Sequence, residues 1–150
     1  MIIEVYSDGS SDGGNGKPGG WAFVIVVDGV KVHEASGSEQ KATNNTMEIL
    51  SATMGLEYVV NAYPYCQDVT LISDSQLALK FATKEYTVKK MHLLPYVLRL
   101  RKAFDQLKAK TKWVRGHSGV EWNEHCDTLS KIAREVANSS LQNDKIEDCL

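Results

Sequence analysis

No apolar run in the sequence approaches the roughly 20 residues that a membrane-spanning helix needs. The start, Met1-Ile2-Ile3-Glu4, has neither the basic nor the apolar region of a secretory signal. Both absences argue against a membrane role and lead to the expectation of a cytoplasmic protein. Cysteine is scarce as well. Cys66, Cys126 and Cys149 are odd in number, far apart, and free of any CxxC pair or Cys/His grouping, so neither a disulfide framework nor a zinc site is suggested. They are expected as reduced thiols. Internal repeats and low-complexity segments are also missing.

What is present suits one folded domain. A chain of 150 residues, 43% of them hydrophobic and 24% charged, can build a real core, whereas two domains would be cramped. Residues 1–138 are expected to form that domain. Residues 139–150, polar and carrying Asp144, Glu147 and Asp148, are expected to be a flexible tail. The net charge of -2 does not favour a nucleic-acid partner, but its distribution does. The segment from Lys80 to Arg115 holds 11 of the 17 Lys and Arg residues and only 2 of the 19 Asp and Glu residues. A basic surface on an acidic body suits a phosphate backbone, although a solvated, lysine-rich helix face would read the same way.

The order of elements follows from turn signals and periodicity. Ile3, Val5 and Tyr6 open a strand that should stop at the Asp8-Gly9 turn signal, before a Gly-rich loop through Asn15 to Gly20. Trp21 to Val27 and Val30 to Ser36 read as a hairpin around Asp28-Gly29. Asn44-Asn45-Thr46 offers N-caps to a helix in which Met47, Leu50, Met54 and Val59 recur at helical spacing, ending near Asn61. Asp68 to Ser73 reads as a buried strand, Ser75 to Ala82 as a short helix, and Thr83 to Lys90 as a polar connector. A helix over His92 to Lys108 tolerates Pro95 in its first turn. A strand over Thr111 to Arg115, a loop over Gly116 to Trp122 and a helix over Asn123 to Asn138 complete the order β β β α β α α β α. That order describes an α/β fold, a five-stranded mixed sheet flanked by helices, and by itself it implies no activity.

Four carboxylates, Asp8, Glu48, Asp74 and Asp127, fall at the ends of these elements, where different segments can converge at a sheet edge. Each has an ordinary explanation taken singly: a turn residue, a first-turn helix acid, a helix cap and a solvated helical acid. Their flanks point elsewhere. Tyr6-Ser7-Asp8-Gly9-Ser10, Thr43-Asn44-Asn45-Thr46-Met47-Glu48, Ile72-Ser73-Asp74-Ser75-Gln76 and Asn123-Glu124-His125-Cys126-Asp127 resemble the four signature segments of type 1 ribonuclease H, in the family's order. Trp113-Val114-Arg115-Gly116-His117-Ser118-Gly119 resembles the family's strand and loop bearing its active-site histidine. The resemblance runs from Ile3 to about Ala137.

The resemblance implies a ribonuclease H-like fold and an endonuclease that hydrolyses the RNA strand of an RNA/DNA hybrid, leaving 3′-hydroxyl and 5′-phosphate ends. It implies two Mg²⁺ ions, with Mn²⁺ as a substitute. Asp8 would bridge both, Glu48 and Asp74 would support the ion on the nucleophile side, and Asp127 the ion on the leaving-group side. Hard divalent ions prefer oxygen ligands, and a pair of them can activate water, offset phosphate charge and stabilise the departing oxygen. His117, between glycines, is suited to proton transfer or product release; a surface loop histidine is the plainer alternative. Asn15, Asn44, Asn45 and Gln76 match family positions that contact the hybrid through its minor groove, and Thr43, Lys89 and Lys90 would hold the DNA strand through its phosphates. Loop turns and helix caps are the simpler readings of the asparagines. A monomer is expected.

Two departures from the family's pattern stand out. The connector around Glu85-Tyr86-Thr87-Val88-Lys89-Lys90 resembles that of short-handled members, without the longer basic handle of the well-studied bacterial form. The first loop is one residue longer, with Ser11-Asp12 before Gly13. Rival functions are a hybrid-binding module without cleavage, a DNA-cutting nuclease of the same superfamily, and a structural domain. The first is opposed by the full set of carboxylates with His117, the second by the Thr-Asn-Asn stretch together with the Gly-His loop, and the third leaves the carboxylates unexplained.

Overall fold

Alternation along the second strand sets the layering. In the computed structural model, Phe23 and Ile25 join the core cluster that contains Ile49, Ala52 and Leu56, while Ala22, Val24 and Val26 pack with Cys126 on the other side. Successive strand side chains point to opposite faces, so a strand covered on both reads as a continuous apolar run. The structure describes residues 1–13 and 16–148, with the backbone alone described for residues 141–148.

Five strands form one sheet: β1 (Ile3–Ser11), β2 (Gly19–Val27), β3 (Val30–Glu39), β4 (Val69–Ser73) and β5 (Lys110–Trp113), in the spatial order β3-β2-β1-β4-β5. The pairs β1/β2 and β2/β3 are antiparallel, and β1/β4 and β4/β5 parallel. This is the mixed sheet expected from the element order. The β2–β3 hairpin turns at Asp28 and Gly29 with φ of 49° and 83°, the two positive values that a type I′ turn requires and that Asp-Gly supplies with little strain.

The helices are α1 (Asn44–Ala62), α2 (Gln76–Ala82), α3 (Leu94–Leu107) and α4 (Glu121–Asp148). α1 lies between the sheet and α3, which explains why its buried residues, from Thr46 and Met47 to Leu56 and Val59, spread around the helix. α4 covers the other face of the sheet over β1, β2 and β3. Among the described residues no helix is long and apolar enough to cross a membrane.

Several boundaries differ from the sequence reading. β1 does not stop at Asp8-Gly9; it continues to Ser11, paired residue for residue with β2, because Gly9 here permits a close approach of α1 and makes no turn. The cap of α1 is Thr43, in place of Asn44 or Asn45. Its hydroxyl accepts from the Thr46 amide at 3.1 Å while Thr46 Oγ1 accepts from the Thr43 amide at 2.9 Å, a reciprocal capping box with threonine in place of glutamate. The third helix begins with a 3₁₀ turn over Met91–Leu93, and Pro95 sits in the first turn of α3. β5 is shorter than expected, ending at Trp113. α4 starts at Glu121 and runs to Asp148, past Asn138, since neither Gly nor Pro interrupts the stretch between. Cys66 and Cys126 are free thiols; Cys149 lies outside the described residues.

Candidate active site

The carboxylates meet because four different elements end at one place. Asp8 is near the end of β1, Glu48 is in the first turns of α1, Asp74 immediately follows β4, and Asp127 is in the second turn of α4. Asp8 and Glu48 are joined by the contact at Gly9, whose amide donates to Asp8 Oδ1 at 2.9 Å and to Glu48 Oε1 at 3.2 Å. A side chain on Gly9 would collide with the α1 backbone at Met47 and lie 2.5 Å from the Glu48 amide nitrogen.

Asp74 stays available because Ser75, the next residue, caps α2 by accepting from the Ala78 amide at 3.2 Å. Residues after β4 hold Asp74 instead. The Trp113 indole donates to its carbonyl at 3.0 Å, and Gly116 packs so closely that a Cβ there would be 3.1 Å from Asp74 Oδ2. The buried Asn123 side chain is near enough to its carboxylate to favour the charged form.

One oxygen each from Asp8, Glu48 and Asp74 lies within 4.8 Å of the others. Asp127 lies near enough to Asp8 to shift its protonation and is gripped on its other side by Lys131 Nζ at 2.9 Å. Burial raises the Asp8 carboxyl far above the ordinary carboxylate range, and Glu48, Asp74 and Asp127 push it the same way. Burial also raises Glu48, against the influence of neighbouring Asp8 and the hydrogen bond from the Gly9 amide, with Asp74 adding repulsion. Asp74 is raised by burial and Asp127, in spite of Asn123 and the charge of His117. Asp127 is the exception. Burial would raise it too, but the hydrogen bond from Lys131 and the influence of neighbouring Asp8 carry it below the usual value.

Such a cluster is frustrated without a cation. Glu48 Oε2 is buried and has no hydrogen-bond partner among the described residues, a cost that a native structure seldom carries unless something else satisfies the oxygen. An oxygen-only donor set with accumulated negative charge fits hard divalent ions such as Mg²⁺.

His117 stands beside this cluster on an exposed loop, close enough for its charge to lower Asp74 and Asp127. Its backbone is left-handed, with φ of 55°. Among the expected substrate contacts, Asn44 and Asn45 are exposed in the first turn of α1, with Ser11 donating to Asn44 Oδ1 from its amide at 3.0 Å and its hydroxyl at 3.1 Å. Thr43 is occupied as the cap. Gln76 is exposed at the start of α2, two residues from Asp74. Lys89 and Lys90 are exposed on the connector before α3 and take no part in the carboxylate group. Asn15 lies outside the described residues.

The basic segment is thinner than its composition suggests. Lys84 pairs with Asp105, Arg99 with Glu57 and Lys110 with Asp68, while Arg101 donates to the carbonyls of Phe81 and Tyr86. The sequence reading gave Gly116 and Asn123 no role at Asp74 and gave Lys131 none at all. Lys131 was legible as an i,i+4 partner of Asp127; Gly116 and Asn123 reach Asp74 only through tertiary packing.

The profile of the RNase H family matches residues 2–135. A ribonuclease H of Lachnoclostridium phytofermentans is 33% identical over 162 aligned positions, covering 95% of this chain and 98% of the relative. One from Pseudomonas fluorescens strain Pf-5 is 35% identical over 143 positions, covering 85% and 89%. Among solved structures, RNase H1 from the halophilic archaeon Halobacterium salinarum superposes with a TM-score of 0.78 at 27% identity, covering 91% of this chain and all of that one. LC11-RNase H1, solved in complex with RNA/DNA hybrid, superposes with a TM-score of 0.77 at 24% identity, covering 90% and 98%.

Proposed function

The chain belongs to the ribonuclease H family, and from that premise we propose that it is an endonuclease cutting the RNA strand of RNA/DNA hybrids with the help of two divalent ions, Mg²⁺, or Mn²⁺ in its place. The observation that carries the reading is the convergence of Asp8, Glu48 and Asp74 within 4.8 Å, with Asp127 adjoining and a buried Glu48 oxygen left without a partner. Asp8, Glu48, Asp74 and Asp127 would hold the ions. Bound there, divalent ions supply an activated water, neutralisation of phosphate charge and stabilisation of the departing 3′ oxygen.

The protein's own groups do the positioning. Gly9 directs its amide at Glu48 Oε1 and keeps that carboxylate turned toward Asp8. Lys131 orients Asp127 from the opposite side. Exposed His117 carries or accepts a proton at the scissile phosphate, or assists product departure, as a histidine on a loop between glycines is fitted to do. Asn44, Asn45 and Gln76 stand on exposed first turns beside the carboxylates, where amide groups can address the 2′-hydroxyls that a hybrid displays in its wide minor groove. Asn15, Thr43, Lys89 and Lys90 complete the substrate contacts, the lysines at phosphates of the DNA strand. The protein acts as a cytoplasmic monomer on this reading.

The test is cleavage of an end-labelled hybrid with Mg²⁺, Mn²⁺ or EDTA, beside duplex DNA, duplex RNA and single-stranded RNA of the same sequence. The hybrid alone should be cut rapidly, within its RNA strand, only with metal, leaving 3′-hydroxyl and 5′-phosphate ends. Replacing the ribose 2′-hydroxyls by 2′-methoxy groups should stop cleavage while pairing survives. Comparable rates on duplex DNA would overturn the substrate assignment.

A further inference from the structure

The end of β1 is gripped from both faces of the sheet. Ser10 points toward α4, where its hydroxyl, itself buried, accepts from Arg134 Nη1 at 2.6 Å. Ser11 points the other way and donates twice to Asn44 Oδ1 on α1. Asp12, directly after β1, sets its carboxylate 3.6 Å from Arg134 Nε. The Arg134 side chain is only 18% exposed, against 58% and 50% for the surface pair Lys84–Asp105. α4 is held down at this level by Gly20 of β2, where a Cβ would collide with the Ser130 carbonyl and come within 2.8 Å of the Arg134 amide nitrogen. Arg134 Nη1 is committed to Ser10, while Nε is buried, makes no hydrogen bond among the described residues and faces Asp12 as an ion pair, so the guanidinium is not free to follow a substrate phosphate.

We propose that Arg134 is a positioning residue for substrate binding, acting from α4 through Ser10 and Asp12 to keep Ser11 docked on Asn44. The inference rests on the hybrid reading of the site. With Oδ1 taken twice by Ser11, Asn44 has its NH₂ left to offer, a donor suited to acceptors in a nucleic-acid minor groove. The Asp12–Arg134 pair restrains the start of the first loop, which would otherwise have to be ordered each time substrate binds. Arg134 makes no bond to the four carboxylates, so its effect belongs to substrate affinity and not to the chemical step.

Steady-state hybrid cleavage is measured for the parent, Asp12→Ala, Arg134→Ala, the double variant and Arg134→Lys, with thermal melts alongside. Arg134→Ala should raise KM about three- to tenfold with kcat within about twofold. Asp12→Ala should show part of that rise, and the double variant should be no worse than Arg134→Ala. If Arg134→Ala fails to fold, Asp12→Ala and Arg134→Lys, which keeps the charge and loses the fork, decide by the same criterion. The salt dependence of KM should match the parent's; a slope shallower by about one charge would make Arg134 a phosphate contact and overturn the proposal. An unchanged KM in the folded variants, or a fall in kcat alone, would overturn it as well. Failure of the hybrid reading is a separate result: a parent that cuts no hybrid sinks that reading, and exchange of the Ser11 and Gly13 amides, followed by NMR without substrate, then decides the anchoring. Faster exchange in Asp12→Ala and Arg134→Ala supports it, and parental exchange refutes it.

Discussion

Gly9 and Glu48, 39 residues apart in sequence, are joined by a hydrogen bond of 3.2 Å from the Gly9 amide to Glu48 Oε1. The bond exists because α1 lies directly on the β1 backbone, where a Cβ at position 9 would meet the Met47 carbonyl carbon and the Glu48 amide. One missing side chain therefore sets the distance between two carboxylates.

Gly9→Ala must push α1 away from β1. Backbone cannot yield as a side chain can, so a loss of about 1–3 kcal/mol or more is expected in urea denaturation. Mg²⁺ affinity, measured by calorimetry, should fall more than hybrid affinity, since Glu48 moves with α1. Parental stability together with parental Mg²⁺ affinity would show that the two backbones are not in contact in solution.

Asp8→Asn should abolish cleavage and yet stabilise the metal-free protein. Asp8, Glu48 and Asp74 have raised folded-state values, so above the ordinary carboxylate range the folded state holds protons that the unfolded chain has lost. Stability in EDTA should consequently fall as pH rises from about 5 to about 8, and added Mg²⁺ should reverse the fall. Removing one of the crowded charges should flatten that slope. It should also raise Tm at about pH 8 by roughly 2–4 °C for each kcal/mol of repulsion relieved. A lower Tm for Asp8→Asn in EDTA would contradict the frustrated cluster.

His117→Ala should slow cleavage by about 10² to 10⁴-fold without abolishing it, because water replaces a positioned proton carrier only in part. Mg²⁺ affinity should stay near the parent's. Loss of Mg²⁺ binding in this variant would make His117 a ligand.

Replacing both Lys89 and Lys90 by Ala should weaken binding equally on all hybrid sequences and flatten its salt dependence, as removal of phosphate contacts does. Turnover at saturation should persist. An unchanged salt slope would mean that the connector merely faces solvent.

The sequence by itself determined the features governed by local rules. Asp28-Gly29 requires a tight hairpin, apolar runs of β-favouring residues bounded by turn signals mark the strands, and the absence of any membrane-length apolar run is a property of composition. The flanks of Asp8, Glu48, Asp74 and Asp127 are contiguous strings and could be read as such. Tertiary structure alone decided how those strings are used. Gly9 reads as a turn and stands inside a strand, because its lack of a side chain serves contact with α1. Asn44 reads as a cap and lies within the first turn, because Thr43 and Thr46 cap each other. Lys84, Arg99 and Lys110 look free in the sequence and are paired with carboxylates 21 to 42 residues distant in the chain. Asp12 looks like a loop insertion until α4 brings Arg134 to it. The physical reason is the same in each case: turn chemistry and periodicity act between neighbours along the chain, whereas close approach, burial and charge pairing depend on which surfaces the folded sheet and helices press together.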